Sequence, residues 1–368
     1  MTFFYDTSRP TPPNGTNNFR FWFAMAREPE PEALADLPNR PIEVRLAPQA
    51  QVIEKSVFFC PFLYPSSYAR QPMTHPRILI QFDSDSHASV FDSVVAVDSG
   101  VDHLLQYSNI KPTNVRSLVH GAMFTRGSKE LHNTAIFIGG SNAALGDSIG
   151  EEIKQTFFGP VRVSVMVDGN GANTTAAAAV LCAARHVDLA ATKTIVFGGT
   201  GPVGMRVARL LVRQGSQVML TSRDALRAEA ACQSIRHRIG SQADGRLSAI
   251  GLAKADDLRD ALAQATVVFS CGAAGATLIT ADELTVATQA KVAIDLNAVP
   301  PAGIEGVGVM DKAVQRGDRF DYGAIGVGGL KMKIHRESIQ SLFTRNDLFL
   351  DAEEIFSVGE KIEKFRTA

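Results

Sequence analysis

Two groups of residues have the types and spacing to do chemistry. The first is Gly199-Thr200-Gly201-Pro202-Val203-Gly204, preceded by the β-branched run Thr194-Ile-Val-Phe-Gly198 and followed by a helical pattern from Met205 to Arg213. Glycines at this spacing between a strand and a helix suit a dinucleotide. The first permits a tight turn, the second lets a pyrophosphate approach the backbone, the third lets helix meet strand, and the N–H groups of the helix start hold the phosphates. The plain alternative is a tight strand-to-helix turn without a ligand. The next strand, Gln217-Val-Met-Leu-Thr221, ends in Ser222-Arg223 rather than in an acid. A hydroxyl followed by a guanidinium suits the 2′-phosphate of NADP, which is therefore expected ahead of NAD. The alternative for Arg223 is a solvated loop arginine. Phe269-Ser-Cys-Gly-Ala-Ala-Gly275 and Ile294-Asp-Leu-Asn297 end further strands on the same edge, so Asn297 is expected beside the nicotinamide. Cys271 reads as a packed residue rather than a nucleophile, having no basic partner near it in sequence.

The second group is dispersed. Gln81-Phe-Asp-Ser-Asp85, Ser89-Val-Phe-Asp92 and Asp168-Gly-Asn-Gly-Ala-Asn-Thr-Thr-Ala176 concentrate carboxylates and hydroxyls, and Lys331 and His335 stand four apart in Gly328-Gly-Leu-Lys-Met-Lys-Ile-His335. On a helix, Lys331 and His335 share a face, whereas Lys333 points elsewhere and reads as a surface lysine. Asp83, Asp85, Asp92 and Asp168 could hydrogen-bond a ligand ring, and capping or turn duty is the competing reading. For His335 the competing reading is a helix-face histidine satisfied by backbone.

From Arg77 to about Ala368 the chain resembles the bacterial NADP-dependent methylene-tetrahydromethanopterin dehydrogenases, relatives of the methylenetetrahydrofolate dehydrogenases. The resemblance runs in order through Gln81-Phe-Asp, Ser89-Val-Phe-Asp, Tyr107-x-Asn109, Thr125-Arg-Gly, Thr134-Ala-Ile-Phe, Phe157-Phe-Gly-Pro and Asn170-Gly-Ala-Asn-Thr-Thr-Ala. It continues through Gly199-Thr-Gly-Pro-Val-Gly-Met, Asn297-x-x-Pro-Pro, Gly328-Gly-Leu-Lys-x-Lys-x-His and Asp351-Ala-Glu-Glu-Ile. It implies that Phe91, Thr175, Lys331 and His335 line a pterin and hydride site. It also implies a homotrimer whose inter-domain cleft is completed by a neighbour, and a role in one-carbon metabolism and formaldehyde oxidation.

Such a site needs elements that converge on it. Strands are expected at 77–82, 134–138, 161–167, 194–198, 217–221, 247–251, 266–270 and 291–295, with amphipathic helices at 143–156, 172–190, 202–214 and 224–238. Alternation of this kind predicts an α/β fold with parallel sheets in two domains. Residues 73–190 are expected to form a pterin-binding catalytic domain and 191–310 a Rossmann-type NADP-binding domain. A C-terminal segment, 311–368, has helices near 329–344 and 352–366 that return to the cleft with Lys331 and His335. Gly139-Gly140 and Gly326 to Gly329 are expected as turns or close backbone approaches. Of the 17 prolines, 11 fall in residues 1–72, predicting a largely irregular extension; Met73 is an alternative start.

Composition excludes several classes of function. With 37 Lys and Arg against 38 Asp and Glu, a net charge of -1 leaves no basic excess for a nucleic-acid binder. The four cysteines have no metal-knuckle or disulfide spacing, so no metal site is expected and a reducing cytoplasm is the expected home. No apolar run reaches the roughly 18–20 residues that cross a bilayer.

The reaction implied by the resemblance takes hydride from a methylene carbon held between two nitrogens and leaves a methenyl cation, with no proton removed from carbon. Catalysis then rests on positioning. Phe91 suits packing on the pterin, Thr175 a hydrogen bond near the reacting nitrogens, and Lys331 either an amine held neutral by burial or a contact to a pterin oxygen. The competing functions are a methylenetetrahydrofolate dehydrogenase, a shikimate-dehydrogenase-like oxidoreductase and a non-catalytic NADP-binding sensor.

Overall fold

The computed structural model describes residues 75–367 apart from 253, 254 and 274. The Pro-rich extension and the alternative start lie outside these residues. The chain begins with β1 (Ile78–Asp83), α1 (Val90–Asp98), β2 (His103–Tyr107), α2 (Arg116–Phe124), β3 (Thr134–Gly139), α3 (Ala143–Thr156), β4 (Ser164–Val167) and α4 (Ala172–Ala184). It continues with β5 (Lys193–Phe197), α5 (Pro202–Arg213), β6 (Gln217–Ser222), α6 (Ala225–Ile239), β7 (Leu247–Gly251), α7 (Ala255–Gln264), β8 (Val267–Ser270), α8 (Ala281–Leu284) and β9 (Val292–Asp295). A hairpin of β10 (Lys312–Arg316) and β11 (Arg319–Tyr322) leads to α9 (Ala324–Ser341), β12 (Phe349–Leu350) and α10 (Ala352–Thr367).

Two sheets result. The first, in the order β12-β4-β3-β1-β2, is parallel throughout. Its inner strands β3 and β4 are buried along their whole length, as continuous apolar runs in a sheet covered on both faces should be. The second runs β10-β11-β9-β8-β5-β6-β7, parallel except for the β10–β11 hairpin. Numbered from β5, its parallel strands stand in the order 3-2-1-4-5-6, with the reversal between β5 and β8. That is the order of a dinucleotide-binding sheet, whose ligands sit at the carboxyl edge beside the reversal.

Helix α4 is apolar all round rather than amphipathic, and it stops at Ala184 instead of reaching 190. It packs against α5, α9 and α10. The run Ala176–Ala179 is fully buried there, since small side chains let several helices close on one. The closing segment returns to the first sheet. Strand β12 adds to β4, and α9 packs on α4 and on α1.

Helix α9 starts at Ala324, ahead of the glycines from which 329 is expected as its beginning. Gly326 lies inside it, and a Cβ there would overlap the Asp311 carbonyl oxygen. The glycines thus permit a close approach within a helix, and they do not break it, because α9 is held by packing rather than by propensity. Strands β2, β10, β11 and β12 are additions to the expected set. β2 and β10 are largely exposed and mixed in polarity, β11 (Arg-Phe-Asp-Tyr) is half-buried but carries two charged residues, and β12 has two residues, so none carries the apolar run of an inner strand.

Candidate active site

The carboxyl ends of β1, β3 and β4 form the floor of a cavity of about 400 Å³, walled by the start of α1 and by α9. Phe91, Asp92, Ser141, Asn170 and Lys331 line it. The Lys331 Nζ lies 4.5 Å from the centre of the Phe91 ring. A cation over an aromatic face fixes both groups. One turn on, His335 is fully buried, stacked on Phe137 at 5.5 Å and 26°, with Phe91 6.4 Å away. Burial, then Lys331 and Arg336, push His335 down to about 3, so its ring is neutral at physiological pH. Neither ring nitrogen has a hydrogen-bond partner among the described residues, which answers the competing reading of a backbone-satisfied histidine. Lys333 is exposed, away from this face.

The four aspartates divide by role. Asp83 accepts from the Asp85 and Ser89 N–H groups at 2.9 and 2.8 Å, fixing the loop that leads into α1. Ser89 then caps the helix, its Oγ accepting from the Asp92 N–H at 3.2 Å. Asp85 accepts from the Ser141 N–H and Oγ, both at 2.9 Å. Asp168 accepts from the Asn173 and Thr174 N–H groups and, at 2.7 Å, from the Thr174 hydroxyl, so it anchors the start of α4. Loop and cap duty therefore occupies Asp83, Asp85 and Asp168. Asp92 lines the cavity, as Asp85 does, but its carboxyl has no such duty; burial followed by the Asp168 charge pushes it up to about 6. Thr175 is half-buried in the first turn of α4, and it is not among the residues lining the cavity. The hydroxyl tied to Asp168 belongs to its neighbour Thr174.

The glycine segment forms the turn from β5 to α5. The left-handed residue is Gly198 (φ +64°), one position before the glycine expected to make the tight turn. A Cβ on Gly204 would overlap the Gly198 carbonyl oxygen and the Gly199 Cα, so α5 lies directly against the turn. Gly201 is the helix cap with no side chain over it, and Pro202 is the first helical residue. The first intrahelical bond runs from the Met205 N–H to the Gly201 carbonyl at 2.9 Å, which leaves the Val203 and Gly204 N–H groups ahead of it. Thr200 sits in the turn between them. A pyrophosphate fits this arrangement of bare backbone and forward-pointing N–H groups.

At the end of β6, the Ser222 Oγ accepts from the Asp224 N–H at 3.3 Å, and Asp224 caps α6. The acid of this segment is thus engaged by its helix, while Arg223 is exposed at the sheet edge. Asn297 is engaged within its own loop. Its Nδ2 donates to the Pro301 carbonyl at 2.7 Å and its Oδ1 accepts from the Val299 N–H at 3.1 Å, so both polar ends serve its own loop. Burial pushes the Cys271 thiol well up, which suits packing and not nucleophilic attack.

An ionic network joins α3, α4, α5, α6 and the start of α10. Arg206 of α5 donates from Nη2 to both carboxylate oxygens of Asp147 of α3, at 2.7 and 2.9 Å, and from Nε to the Asn173 Oδ1. Asn173 donates at 3.1 Å to Asp351, which also pairs with Arg209 at 3.4 Å and with Arg238 of α6. Arg209 reaches Glu353 at 2.8 Å. The network's acceptors Asn173, Asp351 and Glu353 lie in stretches that carry the family resemblance, but nothing local in those stretches shows that they meet Arg206 and Arg209 of α5.

A parallel sheet in the dinucleotide-binding order, joined to a second parallel sheet that carries a charged and aromatic cavity, defines a two-domain Rossmann-type α/β protein. The family model described as methylene-tetrahydromethanopterin dehydrogenase, N-terminal, matches residues 90–170. The bifunctional protein MdtA of Methylorubrum extorquens is 40% identical over 290 residues, covering 78% of this chain and 99% of its own length. The NAD(P)-dependent methylenetetrahydromethanopterin dehydrogenase of the same organism is 32% identical over 289 residues, covering 75% of this chain and 95% of its own. The chain belongs to the methylene-tetrahydromethanopterin dehydrogenase family. Among solved structures, shikimate 5-dehydrogenase from Listeria monocytogenes in complex with shikimate and NAD aligns with a TM-score of 0.45 at 12% identity, covering 78% of this chain and 96% of that one.

Proposed function

We propose that this protein oxidises methylene-tetrahydromethanopterin to its methenyl form, passing a hydride directly to NADP+. The observation that carries the reading is the Lys331 ammonium held over the Phe91 ring at the mouth of a cavity on a strand-end edge. Residues 73–190 form the pterin-binding part, 191–310 the nucleotide-binding part, and 311–368 bring Lys331 and His335 to the cleft. The nicotinamide, when bound, supplies the hydride acceptor. The protein's own residues hold the donor carbon against it. Phe91 offers a flat face to the pterin, Lys331 a donor to a pterin oxygen, and neutral His335 a rigid backing ring between Phe91 and Phe137. Thr175 serves from the first turn of α4. Gly199, Gly201, Gly204 and the N–H groups after Pro202 hold the pyrophosphate. The working unit is a cytoplasmic homotrimer in one-carbon metabolism, where it takes part in formaldehyde oxidation.

Absorbance at 340 nm tests the reading, with NADP+ or NAD+ and with methylene-tetrahydromethanopterin or methylene-tetrahydrofolate, for the full chain and for one starting at Met73. Fastest reduction of NADP+ with the methanopterin substrate is expected. Turnover of the folate alone would reassign the substrate, and NADP binding without turnover of either would favour a sensor.

NADP preference has its own test. Ser222 and Arg223 supply the 2′-phosphate contacts, and the acid that would serve a ribose hydroxyl is tied up in the cap of α6. Arg223→Glu removes a charge-assisted pair and adds repulsion, so the KM for NADP+ rises by roughly 10–100-fold. The KM for NAD+ stays within about twofold, because no phosphate is lost. Equal changes for both nucleotides would remove Arg223 from the site.

A further inference from the structure

The reaction proposed above creates a positive charge in a cavity that already holds the Lys331 ammonium. A C–H bond breaks, its electron pair leaves with the hydrogen, and a nitrogen lone pair closes the C=N+ bond. No proton is exchanged. A lone ammonium beside that carbon would oppose the step. The groups that face Lys331 supply the compensation.

Asp92 follows Phe91 on α1 and lines the same cavity. Its carboxyl is within electrostatic reach of Lys331 on α9, Asp168 after β4, Asp83 at the end of β1 and Ser89 of its own cap, whose hydroxyl takes the Asp92 N–H at 3.2 Å. Asp85 lines the cavity from the loop after β1 but is engaged by Ser141. From α9, His335 presents a neutral ring. At the end of β3, Gly139 has no side chain. A Cβ there would stand 3.1 Å from the Asp92 Oδ2 and 3.7 Å from the Asp83 Oδ2, so bare backbone seats the Asp92 carboxyl. The other nearby carboxylates spend their oxygens on N–H and hydroxyl donors of the fold.

We propose that Asp92 is the counter-charge of the reaction: its carboxylate offsets the Lys331 ammonium, so that the cavity accepts a substrate that becomes cationic while Lys331 keeps its hold on the pterin. The inference rests on the proposed hydride transfer and adds a residue to it. Asp92 gives and takes no proton; it sets the charge of the site. Burial and the Asp168 and Asp83 charges push its carboxyl up to about 6, against Ser89 and Lys331, so protonation removes the counter-charge in a readily measured range. The ionised form is the active one, so the rate rises with pH through that value and levels above it.

The test is kcat/KM for the methylene-pterin against pH from 5 to 8.5, in the full chain. The wild type is expected to show an acid limb centred near 6. Asp92→Asn is expected to lose the limb and run at a tenth or less of the wild-type plateau, and Asp92→Glu to regain part of it. NADP binding by fluorescence titration, expected unchanged, certifies that the Asn variant is folded. Asp98→Asn removes the same charge from the exposed end of α1, outside the cavity, and is expected to leave the profile as it is. An Asn variant with a wild-type plateau, or one that keeps the limb, overturns the inference while the proposed reaction stands. A wild type that binds NADP and turns over no methylene-pterin overturns the reaction, and the inference with it.

Discussion

Lys331→Met lowers kcat for methylene-pterin oxidation by about 100-fold, with NADP affinity unchanged. The magnitude follows from what the amine holds. Placed 4.5 Å over the Phe91 ring, it fixes the aromatic face and offers the polar edge of a pterin a donor. A shift of about 1 Å in donor geometry is worth roughly 10²-fold in a reaction that depends on alignment. Methionine keeps the length of the stem and so isolates the charge. The loss also reaches Asp168. Burial raises that carboxyl and Lys331 is the largest influence lowering it, so the variant binds a proton there more readily. Single-turnover kinetics at 340 nm and a nucleotide titration check both halves, and an unchanged turnover number would remove Lys331 from catalysis.

Asp351→Ala costs about 3–5 kcal/mol of stability, the scale for removing one partner from a buried ionic cluster. Asp351 is 7% exposed at the start of α10. Its oxygens serve Asn173, Arg209, Arg238 and the Ala352 N–H. Without it, Arg209 retains Glu353 alone and Asn173 loses one of its acceptors. Urea unfolding at pH 7 measures the loss. Its pH dependence is directional. Burial raises the Asp351 carboxyl, but Arg209, Arg238 and the Ala352 N–H outweigh it and hold the group below its ordinary 3.8. The contribution is therefore complete above that value and is lost as pH falls through the lower native one. The stability gap between wild type and variant is expected to be constant from pH 5 to 7 and to narrow in acid. A gap that persisted unchanged at pH 3 would mean that packing, and not charge, accounts for the loss.

Much of the frame was legible because inner strands must be apolar throughout. Val267-Val-Phe-Ser270 and Thr134-Ala-Ile-Phe-Ile-Gly139 announce themselves, and the expected helix at 143–156 coincides with α3. Local composition fails where tertiary contact overrides it. Helix α4 is alanine-rich on every side because three helices surround it. Helix α9 runs through glycines because packing against the 308–312 loop, α1 and α4 sustains it. Strand β12 exists only because β4 offers it an edge.

The candidate site divides in the same way. Glycine spacing is local chemistry, and one turn can be read from one stretch of chain. The four-residue step from Lys331 to His335 is likewise a property of any helix. By itself, then, the sequence determined a nucleotide turn, a two-sheet α/β frame and a family. Which of the four aspartates would line the cavity with a carboxyl not spent on the fold's own donors was decided only in three dimensions. Asp83, Asp85 and Asp168 are claimed by N–H and hydroxyl groups from other turns, whereas Asp92 keeps a single serine and the charge of Lys331. Asn297 was likewise turned to its own loop, and Asp351 became the hub between α4, α5 and α6. Hydrogen-bond partners far apart in the chain are set by packing, and a carboxylate's charge follows from how many of them reach it.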